Sequence, residues 1–600
     1  MLRINPRQIQ NPRTHIPSPN VSDFGRGDTQ HPYHRMPYQH AFLLCLLAPL
    51  ISAFTQARFT SSEYAALNSS VGGRLFKGTP LSLPCVPSNK IHPGNCSQVQ
   101  SEYLDEDFRT SHPGAYVVPQ WETCQTTGAQ CLLDYTDTLD LAPVTPPRQC
   151  LMGSIPPYFI DVQSEEDVRA AFEFSKRLQV PLVIKNTGHD YKGRSSAPHS
   201  LALWTHNLKN ISYDPAFVPE GCSTPSPGVT LGAGVQWQDA YDFAETHNIT
   251  LVGGSDKTVG AVGGWLQGGG HGMLSNTMGL GVDRSLQFKV VTPDGQYRVA
   301  NACQNQDLFF ALRGGGGGTF GVVMESTVLA SPQVTLQVVM VTFASTNDTA
   351  LTRELWNTMT ANGLQWAEDG WGGVATSNVA IYINPKLGPA EAAKSMSPLV
   401  EFGQKLQSDQ IEGAQVISTS FESWGTFFEW FAADNVAITG VSLALVSRLI
   451  PKDNFATAES QAELVEGLLN TTVVTPRLII LITAPSSYPG DNTTSVTEAW
   501  RSSLYHVTAV STWNWNATKE DKKNAYAQAS ASIDNLRRIT PDAAYQNEAD
   551  VYEPNHEVSF WGSNYQRLLE IKNKYDPQHL LDCWHCVGWK RSAPRFSCYL

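Results

Sequence analysis

Three glycine-dense segments hold the residues best suited by type and spacing to chemistry: NTGHDYKGRSS at 186–196, GGSDKTVGAVGGWLQGGGHG at 253–272 and RGGGGGTFG at 313–321. Glycine lets backbone approach a ligand closely and aims amide N–H groups at anionic oxygens. Neither common phosphate signature fits. Gly232-Ala233-Gly234 is followed by Trp237 where the third glycine of a dinucleotide fingerprint belongs, and no Gly-Lys-Ser/Thr ending occurs. A flexible linker does not fit either, because a predicted helix at 307–313 and a predicted strand at 321–329 bound the third segment tightly. His189 stands in a polar loop after the apolar run Val183-Ile184. Out of context, such a histidine serves equally as a hydrogen-bonded structural residue or a metal ligand.

Context decides between these roles. VIKNTGHDYKGRSS (183–196), DKTVGAVGGWLQGGGHG (256–272), DLFFALRGGGGGTFGVV (307–323), YQNEAD (545–550) and YQRLLEIKNKYDPQHLL (565–581) resemble the berberine-bridge-enzyme-like branch of the vanillyl-alcohol-oxidase / p-cresol-methylhydroxylase (PCMH) superfamily of FAD-linked oxidoreductases. The likeness is to fungal secreted members of the isoamyl-alcohol-oxidase kind, and it spans about 150–332 and 540–585. It implies an α+β class, a two-domain PCMH-type FAD-binding fold with an antiparallel-sheet substrate domain flanked by helices. It also implies that His189 is joined covalently to the 8α-methyl of the flavin, with Asn186, Gly188, Gly193, Arg194 and Ser195 lining the pyrophosphate and ring through backbone N–H groups. Thr258, Val259, Gly260, Gly263, Gly264, Gly269 and Gly270 complete the expected cofactor site.

Many relatives carry a second flavin bond through a cysteine where this chain has Asp256, so a single covalent bond is expected. Val259 occupies the place that governs oxygen access in related enzymes and is similar to the oxidase form. Tyr545 matches the tyrosine of a family Tyr-x-Asn segment and is the candidate for assisting proton removal. Asp550 and His585 could stand behind it, but each reads as structural rather than catalytic. The run Trp424–Phe431 reads as core packing or pocket lining, and no metal site is expected. The implied activity is hydride transfer from a small organic substrate to FAD, then to molecular oxygen, giving hydrogen peroxide. A secondary-metabolite intermediate is the expected substrate. A general alcohol or carbohydrate oxidase and a non-catalytic flavin-binding protein are the alternatives.

The elements that must position these residues follow from periodicity. Tyr158–Val162 reads as a strand, Ser164 as the cap of a helix with Asp167 three residues on, and Pro181–Ile184 as the next strand. A strand at 229–231, a helix at 236–246, a short strand at 250–252 and a hairpin 286–300 about Pro293-Asp294-Gly295 continue the pattern. From about Gln333 longer strands such as 336–341 and 441–450 begin. The expected organisation is a possible gene-model extension 1–35, a signal peptide 36–57, a disulfide-rich segment 58–150, an FAD-binding domain 151–332, a substrate domain 333–535, and a C-terminal segment 536–600 returning to the FAD domain.

The 600 residues are 41% hydrophobic with a formal net charge of -13, which provides no basic surface for nucleic acid. The apolar run Ala41–Phe54 is too short to span a bilayer. Followed by Thr55-Gln56-Ala57, it reads as a signal-peptide core from Met36, which predicts a secreted protein. Removing Cys45 leaves ten cysteines, enough for five disulfides, and Cys583-x-x-Cys586 lacks a second pair at zinc spacing. Sequons at Asn68, Asn95, Asn210, Asn248, Asn347, Asn470, Asn492 and Asn516 predict N-glycans.

Overall fold

The charged first turn of the helix Glu165–Leu178 shows how local sequence starts regular structure. The Asp167 carboxylate accepts the Ser164 backbone N–H at 3.1 Å, while Val168, Ala171 and Phe172 turn inward. In this computed structural model, which describes residues 60–87, 95–345, 349–433 and 437–600, the helix connects two strands of a four-stranded sheet. Tyr158–Asp161 and Leu182–Lys185 flank Leu201–Trp204 in parallel, and Leu75–Lys77 adds an antiparallel edge. The sheet therefore takes one strand from the N-terminal disulfide-rich segment. The extension and signal-peptide expectations fall outside the described residues.

A five-stranded antiparallel sheet follows in the order Ile211–Phe217, Ser226–Gly232, Val322–Leu329, Ser285–Val291, Tyr297–Asn301. Its last pair is the expected hairpin. The short strand near 250 is shifted from its predicted place: Ile249–Thr250 pairs with Ser331–Pro332. Leu251 and Val252 leave the ladder on the way to Gly253, where an added Cβ would lie 2.4 Å from the Trp237 ring.

Residues 336–513 supply a seven-stranded antiparallel sheet in the order 415–421, 336–342, 379–384, 372–375, 477–482, 503–513, 442–451. Both of its faces are covered, so strands such as Ser442–Pro451 are buried along most of their length instead of alternating. The helices Ala350–Asp369, Ala458–Val474 and Lys519–Ser532 send Trp356, Leu468 and Tyr526 into one core. Across the other face, Ile381 and Ile383 share a core with Leu251, Phe309 and Phe428.

Five disulfides form: Cys85–Cys96, Cys124–Cys598, Cys131–Cys150, Cys222–Cys303 and Cys583–Cys586. The second ties the N-terminal segment to the end of the chain, where Tyr599 stacks on Trp584 and tilts against Trp121. Among the sequon asparagines, Asn347 lies outside the described residues, Asn68 is partly exposed and the other six are exposed. No described helix is long and apolar enough to cross a membrane.

Candidate active site

The loop that carries His189 is held from below by the N-terminal segment. Lys185, at the end of its strand, is fully buried and donates from Nζ to the carbonyls of His112 (2.9 Å) and Pro113 (3.0 Å). Val117 N–H donates to Gly188 C=O, Trp121 Nε1 to Tyr191 C=O, and Tyr116 Oη to Ser195 C=O. Gly188 adopts φ +98°, a conformation that favours glycine. At Gly193 a Cβ would stand 2.3 Å from the Trp121 ring, so this glycine lets the tryptophan close against the loop.

Above the loop lies a cavity of about 550 Å³, the size of a cofactor or substrate site. His189, Asn186, Gly188, Arg194, Ser195, Val259, Gly260, Gly263, Gly264 and Tyr545 line it. Gly193, Thr258, Gly269 and Gly270 stand behind the wall. Gly270 donates its N–H to Tyr545 Oη at 3.3 Å. Thr258 Oγ1 meets His189 Nε2 at 2.6 Å. Arg194 differs from expectation: its backbone N–H is taken by Asp190, and its guanidinium pairs with Asp190 and donates to Asn547 Oδ1 at 2.8 Å. It braces the loop and leaves no backbone N–H for a phosphate.

Burial lowers the proton affinity of the His189 imidazole, against the opposing pull of the Asp256 carboxylate 3.7 Å away. A neutral imidazole keeps a lone pair. Tyr545 is 2% exposed, and burial together with the Glu548 charge pushes its phenol up, so it stays protonated. Its hydroxyl accepts from Asn547 Nδ2 at 2.6 Å and donates to the Trp265 carbonyl at 3.4 Å. Tyr545 is thus built to orient by hydrogen bonding and is unsuited to act as a ready base.

The ionic group on this wall is one that sequence reasoning missed. Glu548 Oε1 lies 3.3 Å from His271 Nε2, and Oε2 lies 2.7 Å from His506 Nε2. Burial alone would raise this carboxyl, but His271 charge and hydrogen bonds from both histidines hold it well below the usual range. His271 stands within the quoted GGGHG and Glu548 directly follows Tyr-Gln-Asn, so both were within reach. His506 sits alone in the strand Ser503–Trp513 and carries no sequence signal. The three ligand atoms lie within 4.8 Å of one another, a spacing a cation could use. However, a ligating imidazole normally donates its second N–H to a partner, and Nδ1 of both histidines is buried without one. The cluster is read as a hydrogen-bonded ion group.

Asp550 and His585 lie elsewhere. Asp550 pairs with Arg537 at 3.3 Å, and His585 stacks on His556 with centroids 4.1 Å apart. The helix Trp424–Ala432 sends Trp424, Phe427 and Phe428 into the core and Phe431 onto the cavity wall.

A flavin dinucleotide fits these residues. The glycine segments meet backbone to backbone, with a Cβ at Gly317 standing 2.9 Å from Gly264 Cα, while Gly264 itself faces open space. Gly317 and Gly318 N–H groups make no hydrogen bond among the described residues and are free for anionic oxygens. Ser195 Oγ, on the wall, is buried without a partner. The flavin would supply the hydride-accepting chemistry.

Comparison with known proteins agrees with this geometry. Residues 156–301 match the FAD binding domain family and 544–583 the berberine and berberine-like family. The chain is 37% identical over 591 residues to FAD-linked oxidoreductase ffsJ of Aspergillus flavipes, covering 90% of this chain and 95% of that one. It is 35% identical to FAD-linked oxidoreductase cheF of Chaetomium globosum, covering 92% and 91%. The crystal structure of the VAO-type flavoprotein MtVAO615 from Myceliophthora thermophila C1 superposes with a TM-score of 0.78 at 28% identity, covering 89% and 96%. The α+β fold, the glycine-walled cavity and these relatives agree: the chain belongs to the FAD-linked oxidoreductases of the VAO-type, berberine-bridge-enzyme-like family and is an FAD-dependent oxidoreductase.

Proposed function

We propose that the protein is a secreted oxidase that holds FAD through one covalent bond to His189, oxidises a small apolar organic substrate such as a secondary-metabolite intermediate, and passes the electrons to molecular oxygen, giving hydrogen peroxide. The observation that carries the reading is His189 itself: a mostly buried imidazole on the cavity wall whose proton affinity burial lowers, fixed through Nε2 and with no hydrogen bond at Nδ1 among the described residues. No cysteine at 256 offers a second bond. The five disulfides and exposed sequon asparagines support an oxidising, glycosylating compartment.

The wall supplied by the seven-stranded sheet and its neighbours favours an apolar substrate over a carbohydrate. Val374, Phe431, Ile479 and Leu481 line it, relieved by the hydroxyls of Thr376 and Thr483. A sugar needs several buried polar partners, and leaving its hydroxyls unpaired costs about 1–3 kcal/mol each. Tyr545 and Thr483 would orient the reacting group by hydrogen bonding. Glu548, held ionised by His271 and His506, would set a fixed negative charge beside Tyr545 that orients the reacting group, its low proton affinity making it a weak acceptor of the substrate proton.

The test is acid precipitation of the purified protein followed by tryptic mapping. Yellow colour that stays with the pellet and with the peptide containing His189, and that is lost in His189→Ala, is the expected result. Colour that washes out of the wild-type pellet would refute the tether.

A further inference from the structure

Behind His189 runs a chain of contacts that the flavin site does not otherwise require. His189 Nε2 meets Thr258 Oγ1 at 2.6 Å, and the Thr258 hydroxyl donates to Asp256 Oδ1 at 3.2 Å, an oxygen that also accepts the Thr258 backbone N–H at 3.0 Å. Since the threonine proton is committed to Asp256, its oxygen accepts from the histidine. The imidazole proton therefore sits on Nε2, and Nδ1 carries the lone pair.

A second carboxyl stands behind the first. Glu106, from the helix Glu106–Thr110 of the N-terminal segment, is 5% exposed. Both of its oxygens, and Oδ2 of Asp256, are buried without a donor. Buried carboxyl oxygens need a donor, and one proton held between Glu106 and Asp256 pairs one oxygen of each. Burial and the Asp256 charge push the Glu106 carboxyl up to about 8, in keeping with that arrangement. Lys257 lies 3.7 Å from Glu106 and donates to Asp107 at 2.7 Å, so its charge is largely spent at the surface.

We propose that Thr258 and Asp256, backed by Glu106, form a proton relay that sets the His189 tautomer and drives covalent flavin attachment. The inference rests on the His189 tether proposed above. Nδ1 bonds to the 8α carbon as one C–H bond there breaks, its proton passing to solvent, from which dioxygen takes up two protons on reduction. The electron pair goes to the ring and is passed on to dioxygen, giving hydrogen peroxide. The Nε2 proton leaves through the Thr258 hydroxyl to Asp256, so the alkylated imidazole ends neutral. Thr258, Asp256 and Glu106 are positioning residues.

The experiment uses the full-length chain produced under riboflavin limitation and then incubated with FAD in air, following acid-precipitable flavin with time and total bound flavin in parallel. Asp256→Asn and Thr258→Val are expected to bind FAD and attach it at least tenfold more slowly, while Thr258→Ser, which keeps the hydroxyl, attaches within about twofold of wild type. Wild-type attachment rates in both Asp256→Asn and Thr258→Val would overturn the relay and leave the tether standing. If Asp256→Asn does not fold, equal rates in the Thr258→Val and Thr258→Ser pair overturn the relay. A wild-type chain that gains no acid-stable flavin would overturn both.

Discussion

Replacing Glu106 by glutamine should change the pH dependence of stability in a direction fixed by the carboxyl pair. The Glu106 carboxyl is pushed from 4.5 to about 8, so the folded protein holds a proton that the unfolded chain has released. Stability must then fall as pH rises between those values. At 1.36 kcal/mol per decade of proton affinity the full effect is on the order of 5 kcal/mol. Lys257, Asp105 and Asp107 surround the pair at a partly wetted edge, and the proton is shared with Asp256, which reduces the effect to roughly 2 kcal/mol. The amide of Glu106→Gln still donates to Asp256 but does not titrate. Unfolding entropy of about 2.1 cal/mol/K per residue over a chain of this size converts 2 kcal/mol to about 2 °C. Thermal midpoints measured at pH 5 and pH 8 should therefore show the variant gaining about 2 °C on wild type at the higher pH. Parallel curves for the two proteins would refute the shared proton.

Two other perturbations probe the site. In Gly260→Ala the new Cβ would lie 1.9 Å from the buried Asn186 Oδ1, so the cofactor wall must shift; the flavin-to-protein absorbance ratio should fall severalfold, and an unchanged ratio would show that the wall yields. Glu548 is held below the ordinary carboxyl range, so its contribution to stability is present above about pH 4.3 and is lost as pH falls below it. Glu548→Gln should flatten the acid limb of thermal stability between pH 6 and 3 relative to wild type, and coincident curves would remove the ion cluster.

The sequence determined the local elements and the cofactor class because both are written in contiguous residues. The strand, loop and glycine order around His189, the Ser164–Asp167 cap and the hairpin at 293–295 depend on near neighbours. The reversal of Arg194's expected role was hidden because backbone N–H groups look alike in sequence, and only folding gave this one to Asp190. Tyr545 was legible as a wall residue, but its protonation depends on burial and on Glu548.

Long-range encounters had no local mark. His506 reaches Glu548 from a strand more than forty residues away, and Glu106 meets Asp256 from across the first half of the chain. Cys124 finds Cys598 over a separation of 474. A side chain's proton affinity and hydrogen-bond partner depend on distance and solvent exclusion, which the order of residues does not specify. The sequence therefore determined which groups the site could use, and tertiary packing decided which of them hold a proton, which hold a charge and which face the cavity.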